Sequence, residues 1–404
     1  MKVIVVGGGV AGAAGAIALR RIGAEVTVYE AYEDPAGQVG SFLSLASNGL
    51  RVLDELGCLE EVQRSGFDVA RQRMWGSSGK LLGDVPRGRL TADPLHSVTL
   101  MRADLVAVLR ARAARSGARI VTGERLVGAV TTQDGVRAEF ASGRVAEADL
   151  LIGADGIWST TRTVLDPSAP APAYAGLYSI SGVAENVGVE QGTFNMVFAR
   201  NGAFIHLPAP DGSLWWSAQV AAAERPELNG VGDAEWLDRL SDLYRFEELP
   251  QAILKATTSV HRPTPMHVLP EVPVRHNDRI ALVGDAGHPV GAGQGASMAI
   301  EDALVLAQTV AGTATIADGL RRYDQRRRAR IAKLVRSAAS NRDAKTAGPI
   351  ARRLNDLIMP IFFRHFYEKA TGWLYSHDLG TLSTPTEAPV RGRESGGRST
   401  RPAF

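Results

Sequence analysis

The sequence contains a single cysteine, Cys58. No internal disulfide can form, which suits a reducing compartment, and Cys58 is expected to be a small buried residue in a leucine-rich helical stretch. Long apolar runs are missing as well. No window holds the roughly 18 uninterrupted apolar residues of a membrane span. The first apolar stretch, Val3 to Val6, breaks at Gly7, so no signal peptide is expected and the cytoplasm is the expected location. Charge of one sign is not in excess: 45 Lys and Arg against 43 Asp and Glu leave a net +2. A nucleic-acid surface therefore has no compositional support. The arginine-rich run 320–330 changes little, because on a helix it spreads over several faces and alternates with Leu320 and Tyr323, as on a solvated helix. His261, His267 and His276 stand in proline-containing connections without metal-ligand spacing, so no metal site is expected. No internal repeat divides the chain.

With 404 residues, 45% of them hydrophobic, the chain is long enough for two domains. Residues 2–6 (KVIVV) read as a strand buried on both faces, Ala13 to Ile22 as a small-residue helix, and 25–30 (EVTVYE) as a second strand. Between the first strand and the helix, Gly7, Gly9 and Gly12 fit G-x-G-x-x-G, with Val10 and Ala11 completing the turn. Gly7 permits the tight turn. Gly9 keeps side-chain bulk away from a pyrophosphate, and Gly12 lets helix and strand pack closely. The helix N-terminus offers free N–H groups to phosphate. Glu30 ends the second strand, 18 residues after Gly12, where a carboxylate accepts hydrogen bonds from a ribose. This turn alone does not distinguish FAD from NAD(P), which share the ADP half.

Further along, leucines 50, 53, 56 and 59 mark 47–65 as helical, and residues 102–116 return to helix. Strands are expected at 192–198, 203–207 and 214–220, with a helix near 233–245 between later strands. An apolar strand at 279–283 precedes helices at 295–311 and 318–343.

Two segments that follow apolar strands carry more information: 153–162 (GADGIWSTTR) and 284–302 (GDAGHPVGAGQGASMAIED). With the N-terminal turn they resemble the flavoprotein monooxygenase family typified by para-hydroxybenzoate and salicylate hydroxylases, over about residues 1–345. The resemblance implies an α/β fold: a Rossmann-type FAD-binding domain (1–75, 97–171 and 277–345) and a sheet-based substrate domain (76–96 and 172–276); beyond it a C-terminal helical segment with a mobile tail (346–404) is expected, because the residues after about Ser383 are rich in Pro, Gly, Ser and Arg. It implies noncovalent FAD, with NADH or NADPH as co-substrate. Reduced flavin would react with dioxygen, and the resulting hydroperoxide would hydroxylate or epoxidise an aromatic or polycyclic small molecule.

The same resemblance implies the site. Asp285 would hold the ribityl chain. Gly293, Gln294, Gly295, Ala296 and Ser297 would lead into a helix whose N-terminus faces the electron-accepting edge of the flavin. Arg102, opening a helix after a strand, would contact FAD, and its fork geometry suits phosphate or ribose oxygens. Asp155 and Gly156 would lie near the dinucleotide, and Arg162 would either help nicotinamide to dock or form a surface salt bridge. Two departures from the family pattern stand out. Gly287 replaces the usual alanine, and the stretch 288–293 is about two residues short, with Pro289 directly after His288. Substrate contacts are expected from Pro289 and from the second domain, where His206 is a candidate acid or base and Trp215 or Trp216 a candidate pocket wall. The competing readings are an FAD-dependent reductase without oxygen transfer, and a flavin-binding protein without turnover. A halogenase is disfavoured because Trp-x-Trp-x-Ile-Pro is absent.

Overall fold

The computed structural model describes residues 1–33, 42–228, 230–269, 271–290, 293–345 and 348–382. Strands Lys2–Val6, Glu25–Tyr29, Arg119–Val121, Leu150–Gly153 and Ile280–Leu282 form one five-stranded parallel sheet. Strand Lys2–Val6 lies in its middle. Its apolar run follows from burial on both faces. Val3 and Val5 pack with helices Val10–Arg21 and Gly295–Ala311, while Ile4 and Val6 pack with Val136, Ala138 and Phe140 of a three-stranded antiparallel sheet. This is the Rossmann-type arrangement that the strand–glycine turn–helix pattern predicts.

A second, seven-stranded sheet runs in the order Thr257–Val268, Ala173–Ala184, Leu214–Ala221, Gly202–Pro208, Thr193–Ala199, Arg71–Gly76, Leu81–Pro86. Its two faces differ because side chains alternate along each strand. Phe204, Trp216, Ala218 and Val220 lie under helices Asp233–Leu243 and Glu248–Lys255. Phe194, Ile205, Leu207 and Trp215 lie on the other face and pack with Phe42, Phe67 and Val69. Those three belong to a small sheet whose central strand, Ser97–Met101, leads straight into helix Arg102–Arg115, so this face looks toward the dinucleotide-binding part.

Several expectations need correction. Residues 47–65 form two helices, Ser47–Glu55 and Leu59–Arg64, because Gly57 turns into the left-handed region at φ +70°. Cys58 is fully buried between them. The substrate sheet starts at Arg71 and not at residue 76: Arg71–Gly76 pairs in parallel with Thr193–Ala199, a partner too distant in sequence for local patterning to show. His261 and His267 lie within strand Thr257–Val268 and not in connections; Pro263 and Pro265 are tolerated there because that strand is the sheet's edge. The arginine-rich helix, Ile316–Lys345, is not solvated all round. Arg327 and Arg330 point inward and are buried. Helices Pro349–His365 and Tyr367–Tyr375 follow, and the tail beyond residue 382 lies outside the described residues. Among the described residues no helix is long and apolar enough to cross a membrane.

Candidate cofactor and active site

The glycine turn is built as its spacing requires. At Gly7 (φ +99°) a Cβ would stand 2.5 Å from Ala154 O, and at Gly12 it would stand 1.9 Å from Gly7 O. Both positions exclude any side chain. Gly9, which caps helix Val10–Arg21, has nothing within 4 Å of where a Cβ would lie, so the backbone there faces open space. Glu30 is buried and rigidly placed: its carboxylate accepts from Gly8 N at 2.6 Å and from Tyr32 N at 2.9 Å. A carboxylate has about four acceptor positions, so capacity remains for a ribose.

Arg102, the first residue of its helix, is exposed and forms no ion pair among the described residues. Its charge acts on Asp285, which places the two in one neighbourhood although 183 positions separate them in sequence. Asp285 sits in the tight turn Gly284–Ala286, with its side chain accessible and without a hydrogen-bond partner among the described residues. Protein walls nevertheless surround it closely. Burial pushes its carboxyl above the usual range, against the pull of His288 and Arg102. A Cβ on Gly295 would lie 3.6 Å from Asp285 Oδ1, so the start of helix Gly295–Ala311 faces the same space. Gln294 caps that helix, and its Oε1 is buried without a partner among the described residues. Gly293 takes φ +148°, and Ala296 packs against the main core. Ser297 looks elsewhere: its Oγ accepts from Ala46 N at 3.2 Å and lies where a Cβ on Gly49 would fall, so it locks two helices together.

The 153–162 segment is turned inward. The Asp155 carboxylate accepts from Ser159 Oγ (2.6 Å), Thr161 N (2.9 Å) and Thr161 Oγ1 (3.0 Å), which closes its own turn around Gly156 (φ +74°). Arg162 is buried and not a surface salt-bridge partner. It donates to Ala286 O at 3.0 Å and Ile157 O at 2.8 Å, tying this turn to the Asp285 turn.

Beneath Asp285 lies a buried ionic network that the motif contains but that sequence reasoning left unassigned. Asp302 accepts from Gly284 N at 2.9 Å, from His288 Nε2 at 2.5 Å and from Arg327 Nε at 2.7 Å. Its neighbour Glu301 accepts from Arg327, Arg330 and Asn48, each at 2.6 Å. Burial alone would raise both carboxyls, but His288 and Arg327 hold Asp302 well below its usual range, and Arg327 and Arg330 do the same for Glu301. The only local signal was an Glu-Asp pair on an otherwise apolar helix, facing arginines about a turn apart on the next one. Pro289 is buried directly after His288; residues 291 and 292 of the shortened loop lie outside the described residues.

On the second sheet, strand parity separates the three candidates. His206 falls with Phe204 and Trp216 on the helix-covered face, which takes it away from the dinucleotide side. It is 1% exposed, neither ring nitrogen has a partner among the described residues, and burial pushes its pKa down to about 4. The acid–base expectation for His206 is therefore corrected to a neutral core residue. Trp216 stacks on Phe204 at 5.7 Å and is likewise core. Trp215 faces the other way, half-buried against Phe42 (5.8 Å) and Phe67 (5.2 Å). Ser217 and Gln219 share its parity. Ser217 Oγ is 3.0 Å from Ser179 Oγ, and Gln219 Oε1 is buried without a partner among the described residues. These polar positions alternate with apolar ones in 214–221 (LWWSAQVA), a signal available in the sequence but unused.

A cradle with open backbone at Gly9, a fixed carboxylate at Glu30 and, among the described residues, an unpaired Arg102 and Asp285 and an orphaned Gln294 oxygen fits FAD. The chain matches the FAD binding domain family over residues 1–338 and belongs to the FAD-dependent flavoprotein monooxygenases. It is 30% identical over 330 residues to an aurachin C monooxygenase/isomerase of Stigmatella aurantiaca, covering 80% of this chain and 84% of that protein. It is 28% identical to a 3-hydroxybenzoate 6-hydroxylase of Klebsiella oxytoca, over 93% of this chain and 96% of that one. Among solved structures, Klebsiella pneumoniae HpxO with FAD and uric acid shares the fold at TM-score 0.77 and 24% identity, over 92% and 95% of the two chains. A salicylate hydroxylase substrate complex does so at TM-score 0.76 and 22% identity, over 96% and 99%.

Proposed function

We propose that this enzyme uses NADH or NADPH and dioxygen to hydroxylate or epoxidise an aromatic or polycyclic small molecule. The observation that carries this reading is the pairing of an FAD cradle with the Phe194–Ile205–Trp215 face of the second sheet. Bound FAD supplies hydride acceptance from nicotinamide and activation of dioxygen. The chain's own residues do the rest. Glu30 and Asp285 fix the two sugar-like parts of the cofactor, and Arg102 neutralises its phosphates. Trp215, Phe194 and Ile205 present an apolar wall that holds a flat ring and excludes water. Ser217 and Gln219 supply hydrogen bonds to a ring hydroxyl on the same face. His206 takes no part.

The test is a screen of phenols and polycyclic aromatics for stimulated NAD(P)H oxidation, followed by product analysis under isotopically labelled dioxygen. One labelled oxygen atom in a ring product is the expected result. Nicotinamide oxidation that never places oxygen in any product would refute the proposal in favour of a reductase.

A further inference from the structure

The outward face of helix Pro349–His365 is apolar where that of a surface helix is ordinarily polar. Ile350, Leu354, Leu357, Ile358 and Ile361 recur along one side of it, and Phe366 follows at its end. Each is more than half exposed, from 52% at Ile358 to 86% at Ile350. The opposite face is firmly seated. Met359 and Phe363 pack on Met74, Leu82 and Val85 of the seven-stranded sheet, and a Cβ on Gly83 would lie 2.5 Å from the Phe363 ring. The six exposed side chains present roughly 700 Å² of apolar surface, above the roughly 300–600 Å² of the largest patch on a typical monomer. Charge along this stripe has one sign. Between Pro349 and Phe366 the only acid is Asp356, and it is turned inward: a Cβ on Gly76 would stand 2.8 Å from its Oδ1. Arg353 and Arg364 lie on either side of Leu357 along the helix, both exposed and without a hydrogen-bond or ion-pair partner among the described residues. The same mixture continues past the helix N-terminus. Arg352 donates to the Arg200 carbonyl, and the guanidiniums of Arg200 and Arg245 lie 4.0 and 4.7 Å from the ring centroid of Phe246, itself 51% exposed.

The residues after Leu382 do not suit this face. They carry four arginines against two glutamates, with Val390 and Phe404 as their only large apolar side chains. A second copy of the chain would bring the same arginines and, from this helix, no outward acid to answer them. A bilayer with anionic headgroups answers both features. Its acyl boundary takes up the apolar stripe, while the arginine stems lie along that stripe and their heads reach lipid phosphate. We propose that helix Pro349–His365, with the Phe246 outcrop beside it, docks the protein on the surface of an anionic membrane. The helix lies in the plane of the interface and does not cross it, and the seven-stranded sheet beneath it is held against the bilayer. This docking does not depend on which reaction the flavin site performs.

The experiment floats the FAD-loaded full chain with vesicles of phosphatidylglycerol and phosphatidylcholine in equal parts, and with vesicles of phosphatidylcholine alone. Light scattering reports the mass of the protein in solution. The parent should partition about tenfold or more strongly onto the anionic vesicles than onto the neutral ones, and raised salt should weaken that binding. L357E combined with I361E should abolish flotation, and R353Q combined with R364Q should weaken it about tenfold or more. All four positions are exposed, so both variants should keep FAD and the parental unfolding midpoint. No flotation with anionic vesicles, equal flotation with both kinds, or flotation unchanged in both variants would overturn the proposal. A parent that ignores vesicles but forms a dimer, split by L357E with I361E, would overturn it too and assign the stripe to a second copy.

Discussion

Replacing His206 by leucine separates a buried structural histidine from a catalytic one. In the fold the imidazole is surrounded by Phe204 and Trp216 on the helix-covered face and titrates near 4, against an ordinary value of 6.5. The folded protein thus binds fewer protons there than the unfolded chain between those two values. Stability rises with pH across that window, and on acidification it falls from the unfolded value downward and levels off below about 4. The full difference corresponds to about 3 kcal/mol, of which about 2 kcal/mol is already lost near pH 5. Leucine does not titrate and removes two unpaired buried nitrogens, so H206L should match or exceed the parent at neutral pH and exceed it clearly in acid. Urea unfolding followed by tryptophan fluorescence, at several pH values, measures this. Turnover per bound FAD should stay within about twofold of the parent, a change of roughly 0.4 kcal/mol in barrier. Turnover lost by orders of magnitude with FAD retained would show that His206 reaches the reacting atoms after all. Parallel pH–stability curves for parent and variant would show that His206 is not the desolvated group described here.

Two further outcomes follow from the cofactor cradle and the layer beneath it. Glu30→Gln and Asp285→Asn should each weaken FAD retention by about 1 to 2 kcal/mol, read as the dissociation constant after flavin removal and reloading; parent-like affinity in both would remove these carboxylates from the site. Arg327→Met strips the shared partner of Glu301 and Asp302, leaves buried charge uncompensated, and should cost about 3 to 5 kcal/mol of unfolding free energy. A thermal midpoint unchanged in R327M would mean that the network is not held as charged pairs.

The dinucleotide turn was legible because its constraints are local. A glycine whose Cβ would strike a carbonyl at 1.9 Å admits no substitute, so Gly12 announces itself in one dimension. The parallel sheet was legible for a related reason: strands covered on both sides must be apolar throughout, as KVIVV is. Other features depend on pairings between distant segments. Arg71–Gly76 reads like any short strand until it meets Thr193–Ala199, so the domain boundary was misplaced. His206 was identified by its uniqueness within a strand-rich stretch, but uniqueness says nothing about which sheet face it occupies. Parity relative to Phe204 does, and only once the covering helices are in place.

The 284–302 motif is better understood as two carboxylates with opposite tasks than as a row of cofactor contacts. Asp285 lies close enough to Asp302 to feel its charge, and both feel His288. Asp302 has no exposure and three donors, one of them a buried arginine, so it remains ionised and pins the backbone of Gly284 and the ring of His288. Asp285, one residue after Gly284, opens into the cradle, and burial raises its carboxyl above the usual range against the pull of His288 and Arg102. The buried network need not stabilise the fold to be retained. Replacing such a network with apolar residues of similar volume is often neutral or favourable for stability. What apolar residues cannot do is hold Gly284 at φ +58° against Ala11 and Ala299 while aiming its neighbour's carboxyl outward. The charges beneath the turn are therefore best explained as the device that positions Asp285.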